Sequence, residues 1–243
     1  VIPINFTTAH KINTKGNLNF KNINRGVVMD KEKDTVSVWC IVSLTSIPLI
    51  MTLGNSMLIP VLPILEDKVG ITSFQSSMII TSYSVAAIFL IPVAGYLSDR
   101  FGRKIVILPS LILALIGGLI AGFASWKMND PYAMIIAGRI IQGIGAAGAM
   151  PIVLPLVGDL YQDDDEKISS TLGIIETSNT FGKVLSPILG SVFAAFLWFL
   201  PFFSISALSL ISIVLIFFFV KAPKDNDEPL KFKKFLRNTK KVF

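Results

Sequence analysis

Four side chains that ionise or hydrogen-bond strongly fall inside long apolar runs: Asn55, Arg139, Glu176 and Lys183. A charge held in hydrocarbon costs several kcal/mol on insertion scales and normally faces a bundle interior or a watery cavity, so each position marks more than a plain span. Glu176 and Lys183 stand seven residues apart. On a helix that spacing puts them on one face, about 10 Å apart along the axis. They are too distant to pair directly, so each is matched to another helix, to backbone carbonyls or to water; Lys183 has the further option of snorkelling. Arg139 and Glu176 are the candidates for handling a proton, with Arg139 biasing the carboxyl. Asn55, Gln142, Glu176 and Lys183 are the candidates for lining a cavity. Phe89 and Phe181 read as lipid contacts or core.

A second cluster lies in GYLSDRFGRKIVI, residues 95–107, where Asp99 stands among Arg100, Arg103 and Lys104 between Gly95 and Gly102. Carboxylate and cations this close can exchange partners between two conformations, which is what a latch requires. Anchoring by positive charge is the plainer account of the cations alone. Other chemistry is excluded by composition. His10 is the single histidine and Cys40 the single cysteine, so zinc clusters, internal disulfides and most histidine catalysis have no residues to build on. The acidic run Asp163, Asp164, Asp165 and Glu166 reads as a solvated loop. No enzyme activity, cofactor or metal site is expected.

The elements that must position these residues are membrane helices. Of 243 residues, 52% are hydrophobic and 16% charged, far below the quarter expected of a soluble domain. Apolar runs separated by short polar punctuation give six spans, at about 37–62, 75–98, 104–124, 132–157, 168–195 and 198–220. The boundary between the last two, FLWFLP, is rich in aromatics that suit a membrane interface. Span 4 has small residues at 143 and 145–149, and span 5 has Gly173, Gly182, Pro187 and Gly190; such residues let backbones pack closely and bend. Before the bundle, residues 1–35 form a polar tail. Residues 1–28 contain no Met and MDKEKDTVSVW from Met29 reads as a natural start, so 1–28 are expected to be upstream sequence included in the gene model. After it, 221–243 form a basic tail.

Charge sets the expected orientation. Of the 22 Lys and Arg, 18 lie in the two tails and in the 2–3 and 4–5 loops, whereas the 1–2 and 3–4 loops carry only Lys68 and Lys127. The positive-inside rule then places both termini in the cytoplasm of a multi-pass protein of the cell membrane. The same asymmetry accounts for the net charge of +6, so nucleic acid is not an expected partner.

GYLSDRFGRKIVI resembles the loop 2–3 signature of the major facilitator superfamily, through Gly95, Leu97, Asp99, Arg100, Gly102, Arg103 and Lys104. LGNSMLIPVLP, with Gly54, Pro60, Val61 and Pro63, resembles the span 1 motif of the drug–proton antiporters in that superfamily. Arg139, Gln142, Gly143 and Gly145 resemble its span 4 motif, whose arginine the family implicates in proton transfer. Gly173, Gly182, Pro187 and Gly190 resemble the antiporter motif of span 5, with Ser186 and Ser191 standing where glycines are usual. The resemblance implies an all-α integral membrane fold. Its six helices would be two inverted three-helix repeats, together half of a twelve-helix carrier. A trace of the repeat is legible in Gly54, Pro60 and Pro63 against Gly145, Pro151 and Pro155. It implies alternating access, with a proton gradient driving efflux of a drug-like compound or small metabolite, a siderophore among them. The residues of 95–104 would be the cytoplasmic latch. KAPKDNDEPLKFKKFLRNTKKVF is similar to the start of the central linker, so the expected partners are the bilayer, H⁺, a small molecule, and a second six-helix half or second copy. A truncated, inactive fragment or a half-size subunit is the competing expectation.

Overall fold

The computed structural model describes residues 36–161 and 164–220. The expectations for the tails, 1–35 and 221–243, and for Asp163 lie outside the described residues. Helix α1 (Val38–Ser56) runs through a 3-10 turn at Ile59–Val61 into the short α2 (Leu62–Val69). Then come α3 (Ser73–Phe101), α4 (Arg103–Lys127), α5 (Tyr132–Tyr161), α6 (Asp165–Phe196) and α7 (Leu200–Phe219). Taking α1 and α2 as one rod gives six rods. Five lie within about four residues of an expected span. The first runs on to Val69, seven residues past the expected 62, because the chain continues through Pro60 and Pro63 into α2. Five of the six rods are long and apolar enough to cross a membrane. The exception is α6, at 32 residues the longest single helix; Glu176, Asn179, Lys183 and the charged first turn dilute its apolar stretch.

Local signals set the ends. Thr72 accepts from the Gln75 backbone N–H while the Gln75 side chain takes the Thr72 N–H, a capping box that starts α3. Gly70 closes α2 at φ 70°. Asp164 caps α6 by accepting the Lys167 N–H at 3.1 Å, and the Lys167 ammonium lies 2.9 Å from the same carboxylate, holding that carboxyl below its usual range. Only Gly102, at φ 99°, separates α3 from α4, a backbone conformation open chiefly to glycine.

Rod 1 packs on α6 and α7, α5 packs on α3 and α4, and α4 packs on α7. Exchanging the first three rods for the last three maps this scheme onto itself. Consecutive rods joined by short turns alternate in direction, so a three-rod repeat is necessarily inverted, as expected. Where α4 meets α5 the helices touch backbone to backbone: a Cβ on Gly138 would lie 2.6 Å from the Gly117 carbonyl, and one on Gly117 2.5 Å from that of Gly138. Without a hydrophobic drive between helices in lipid, such small-residue contacts and serine bonds supply association. The Ser46 and Ser212 hydroxyls are 2.8 Å apart across α1 and α7, and Ser206 donates to the Leu115 carbonyl at 3.1 Å. Two apolar clusters fill the interior, one around Leu44, Leu111 and Leu156 and the other around Leu58, Ile79 and Phe202. Between Met51 of the first and Leu58 of the second lies Asn55, at the level of a buried polar layer.

Candidate functional site

That layer centres on Arg139, 1% exposed on α5. Its Nη2 donates to the Asn55 Oδ1 of α1 at 2.6 Å, its Nη1 to the Gln142 Oε1 one turn away at 2.7 Å, and its Nε to the Ile79 carbonyl of α3 at 3.1 Å. The guanidinium carbon stands 4.5 Å from the centre of the Tyr83 ring, a cation–π contact in a desolvated place. Three helices therefore converge on one cation with neutral acceptors and an aromatic face. No ion pair among the described residues involves Arg139. Gln142, also buried, spends its carbonyl on Arg139 and leaves its Nε2 without a partner. A Cβ on Gly118 of α4 would sit 2.9 Å from that nitrogen, so the pocket that receives Gln142 exists because residue 118 has no side chain.

The other two intramembrane charges lie on α6. Glu176 is exposed on this chain and accepts from the Asn179 Nδ2 at 3.2 and 3.3 Å. Asn179 in turn accepts the Thr52 hydroxyl of α1 through its Oδ1. Glu176 is thus tied to α1 by one neutral bridge and is not bonded to Arg139, the residue expected to bias it. Lys183, two turns along, is also exposed and makes no hydrogen bond or ion pair among the described residues. Both residues border the face of α6 that meets α1. The glycines there set that approach: a Cβ on Gly182 would be 3.2 Å from the Leu49 carbonyl, and one on Gly190 3.0 Å from Pro60. Ser186, in place of the usual glycine, donates to the Gly182 carbonyl at 2.6 Å. Gly173 and Pro187 face outward, and a Cβ on Gly173 would meet nothing within 4 Å.

At the α3–α4 turn, Arg103 pairs with Asp99, donates to Ser98 Oγ at 2.9 Å and bonds Asp159 Oδ2 at 2.9 Å. Arg100 stands apart from this pairing; its guanidinium lies 5.4 Å over the Phe101 ring and 3.4 Å from the Tyr96 hydroxyl. Lys104 reaches elsewhere again, donating to the Phe217 and Val220 carbonyls at 3.0 and 2.6 Å. A cation there complements the partial negative charge at the end of α7. Gly95 borders open space, with nothing within 4 Å of a Cβ built on it.

Sequence reading passed over Tyr83, Asp159, Thr52 and Asn179. Asp159 carried a usable signal, an acid just past the expected end of span 4 and separate from the acidic run beyond it; the structure places it in the last turn of α5. The other three are neutral and common in membrane helices, so their types flag nothing.

A model of the Major Facilitator Superfamily matches residues 44–242. The chain belongs to the Major Facilitator Superfamily. Over 203 residues it is 58% identical to the bacillibactin exporter of Bacillus subtilis (strain 168), covering 84% of this chain and 50% of that protein. Over 159 residues it is 32% identical to a triacylglyceride transporter of Mycobacteroides abscessus, covering 64% of this chain and 29% of the relative. An inward-open structure of the xylose transporter XylE from E. coli matches with a TM-score of 0.66 at 16% identity, covering 83% of this chain and 51% of that one. At that identity the likeness concerns the superfamily fold alone. The chain spans half the length of the bacillibactin exporter.

Proposed function

We propose that this chain is the first six-helix half of a proton-coupled exporter that moves a small metabolite, a siderophore of the bacillibactin kind, out of the cell by alternating access. The observation that carries the proposal is the cation of Arg139, fully buried among neutral acceptors at mid-bundle. A charge placed so expensively is kept where its field is used. Glu176, the carboxylate of α6 tied to α1 through Asn179 and Thr52, is the candidate proton carrier. Protonation of Glu176 from one side and release to the other then couples H⁺ entry to substrate exit. Lys183, exposed and unpaired in the same stretch of α6, offers a contact to an acidic group of the substrate. The siderophore reading rests on the 58% identity to the bacillibactin exporter.

The Asp99–Arg103–Asp159 cluster acts in this proposal as the latch of the cytoplasmic side, with both termini in the cytoplasm by the distribution of Lys and Arg. The carrier needs a second six-helix half, or a second copy. In favour of that, the chain covers 50% of the bacillibactin exporter it is similar to. Efflux of the siderophore from energised vesicles, with this half joined to a second, tests the reading. Export that stops when the proton gradient is collapsed and is lost in Glu176→Gln and Arg139→Ala supports it. Wild-type rates with unchanged proton dependence in both variants would overturn the coupling.

A further inference from the structure

A cleft of about 420 Å³ runs between α3 and α4 and is floored by Ile144 and Gly148 of α5. That volume falls in the range of small-molecule sites, about 300–1,000 Å³. On α3 the lining residues are Leu90, Val93, Ala94, Leu97 and Phe101, at spacings of three and four that trace one stripe of the helix. The lining is apolar apart from Ser110. From residue 90 to residue 101 the stripe extends about 17 Å along the axis, close to the depth of one leaflet of a hydrocarbon core about 30 Å thick. The cleft stays open because Ala94 is short and because Gly148 lies against Ser110 with no side chain to project between the helices.

At the polar end of the stripe stands Arg100. Its guanidinium rests over the ring of Phe101, a lining residue, and touches the Tyr96 hydroxyl, while the neighbouring acids Asp99 and Asp159 are both engaged by Arg103. An apolar slot one leaflet deep, with a cation at the headgroup level that no ion pair among the described residues neutralises, has the chemistry of one amphiphile. We infer that the cleft holds an acyl chain of an anionic phospholipid, whose phosphate pairs with Arg100. A second copy of this chain seated in the slot would bring its own Arg100 against the first, and the basic segment 221–243 carries the same sign of charge.

Native mass spectrometry of the purified chain, equilibrated with phosphatidylglycerol or phosphatidylcholine of matched acyl chains, tests the inference. The expected result is about tenfold stronger retention of phosphatidylglycerol, because phosphatidylcholine carries a fixed trimethylammonium beside the same phosphate and that cation is repelled by Arg100. Arg100→Gln should bring the two lipids level. Ala94→Phe, which fills the slot, should remove the retained fraction of both; Leu113→Trp fills it from α4 and serves if the first variant does not fold. Equal retention of the two lipids by the wild type, or retention unchanged by either slot-filling variant, would overturn the inference. So would a wild-type dimer that dissociates on filling the slot, because the cleft would then be an interface between copies.

Discussion

Arg139 and Arg103 are each held by three acceptors, yet none of those around Arg139 carries a charge and two of those around Arg103 do. Arg139 is 1% exposed, whereas Asp99 and Asp159 beside Arg103 are partly open to solvent at a helix end. Pairing at an edge neutralises charge locally, is weakened by salt and exchanges partners at little cost. Solvation by amide oxygens and an aromatic face keeps a net positive charge deep in the bundle. One residue type thus takes different partners in the two places: two carboxylates and a hydroxyl at the edge, amide and carbonyl oxygens and an aromatic face inside.

The largest test of that contrast is Arg139→Ala, expected to lower efflux by the joined carrier at least ~100-fold, the lower range of a lost proton-transfer step. Arg139→Lys should not rescue it, since one ammonium nitrogen cannot reach acceptors that are set around three separate guanidinium nitrogens. Full rescue would mean that charge alone matters. Asn55→Asp supplies the anion the layer lacks; efflux should fall about tenfold and its pH dependence flatten, as the positive field is cancelled at its source. Gly118→Ala removes the space next to the Gln142 amide and the Ser206 hydroxyl. Overpacking there should cost about 1–3 kcal/mol and lower the thermal midpoint in detergent. Asp99→Asn and Asp159→Asn should each slow efflux a few-fold, with pH dependence unchanged and with high salt reproducing part of the effect in the wild type. A shifted pH profile in these variants would erase the distinction between the arginines.

The smallest effect is expected at Asp164, whose carboxyl is held below its ordinary range by Lys167. The sign follows from linkage: the stabilisation is present above the unfolded value of about 4 and is lost as pH falls through the lower folded value. Thermal midpoints of wild type and Asp164→Asn should therefore differ slightly at neutral pH and converge in acid.

The six rods were legible because apolar runs of membrane length have few other uses, and even α6 was placed despite its polarity by the turns that flank it. Arg139 was legible for the complementary reason, being an ion where ions are expensive. Of its partners, Asn55 and Gln142 were legible as cavity candidates, and the two from α3 were not. Tyr83 and the Ile79 carbonyl come from a helix about 60 residues away in sequence, and which face of α3 meets α5 is decided by backbone contacts such as that at Gly143, not by any periodicity in a helix apolar all round. For the same reason the routes by which Arg139 and Glu176 reach α1, through Asn55 and through Asn179 with Thr52, could not be read from sequence. At the turn, the cations of 100–104 read as one group, but helix geometry sends Arg103, Arg100 and Lys104 in three directions.

The reach of Lys104 to the last carbonyls of α7 has a mechanical side. It rivets the beginning of one rod to the end of another 116 residues later. A tilt of α4 driven by repartnering at Arg103 would pull on that end directly. The end of α7 at Val220 is therefore harnessed to the α3–α4 turn by the ammonium group of Lys104.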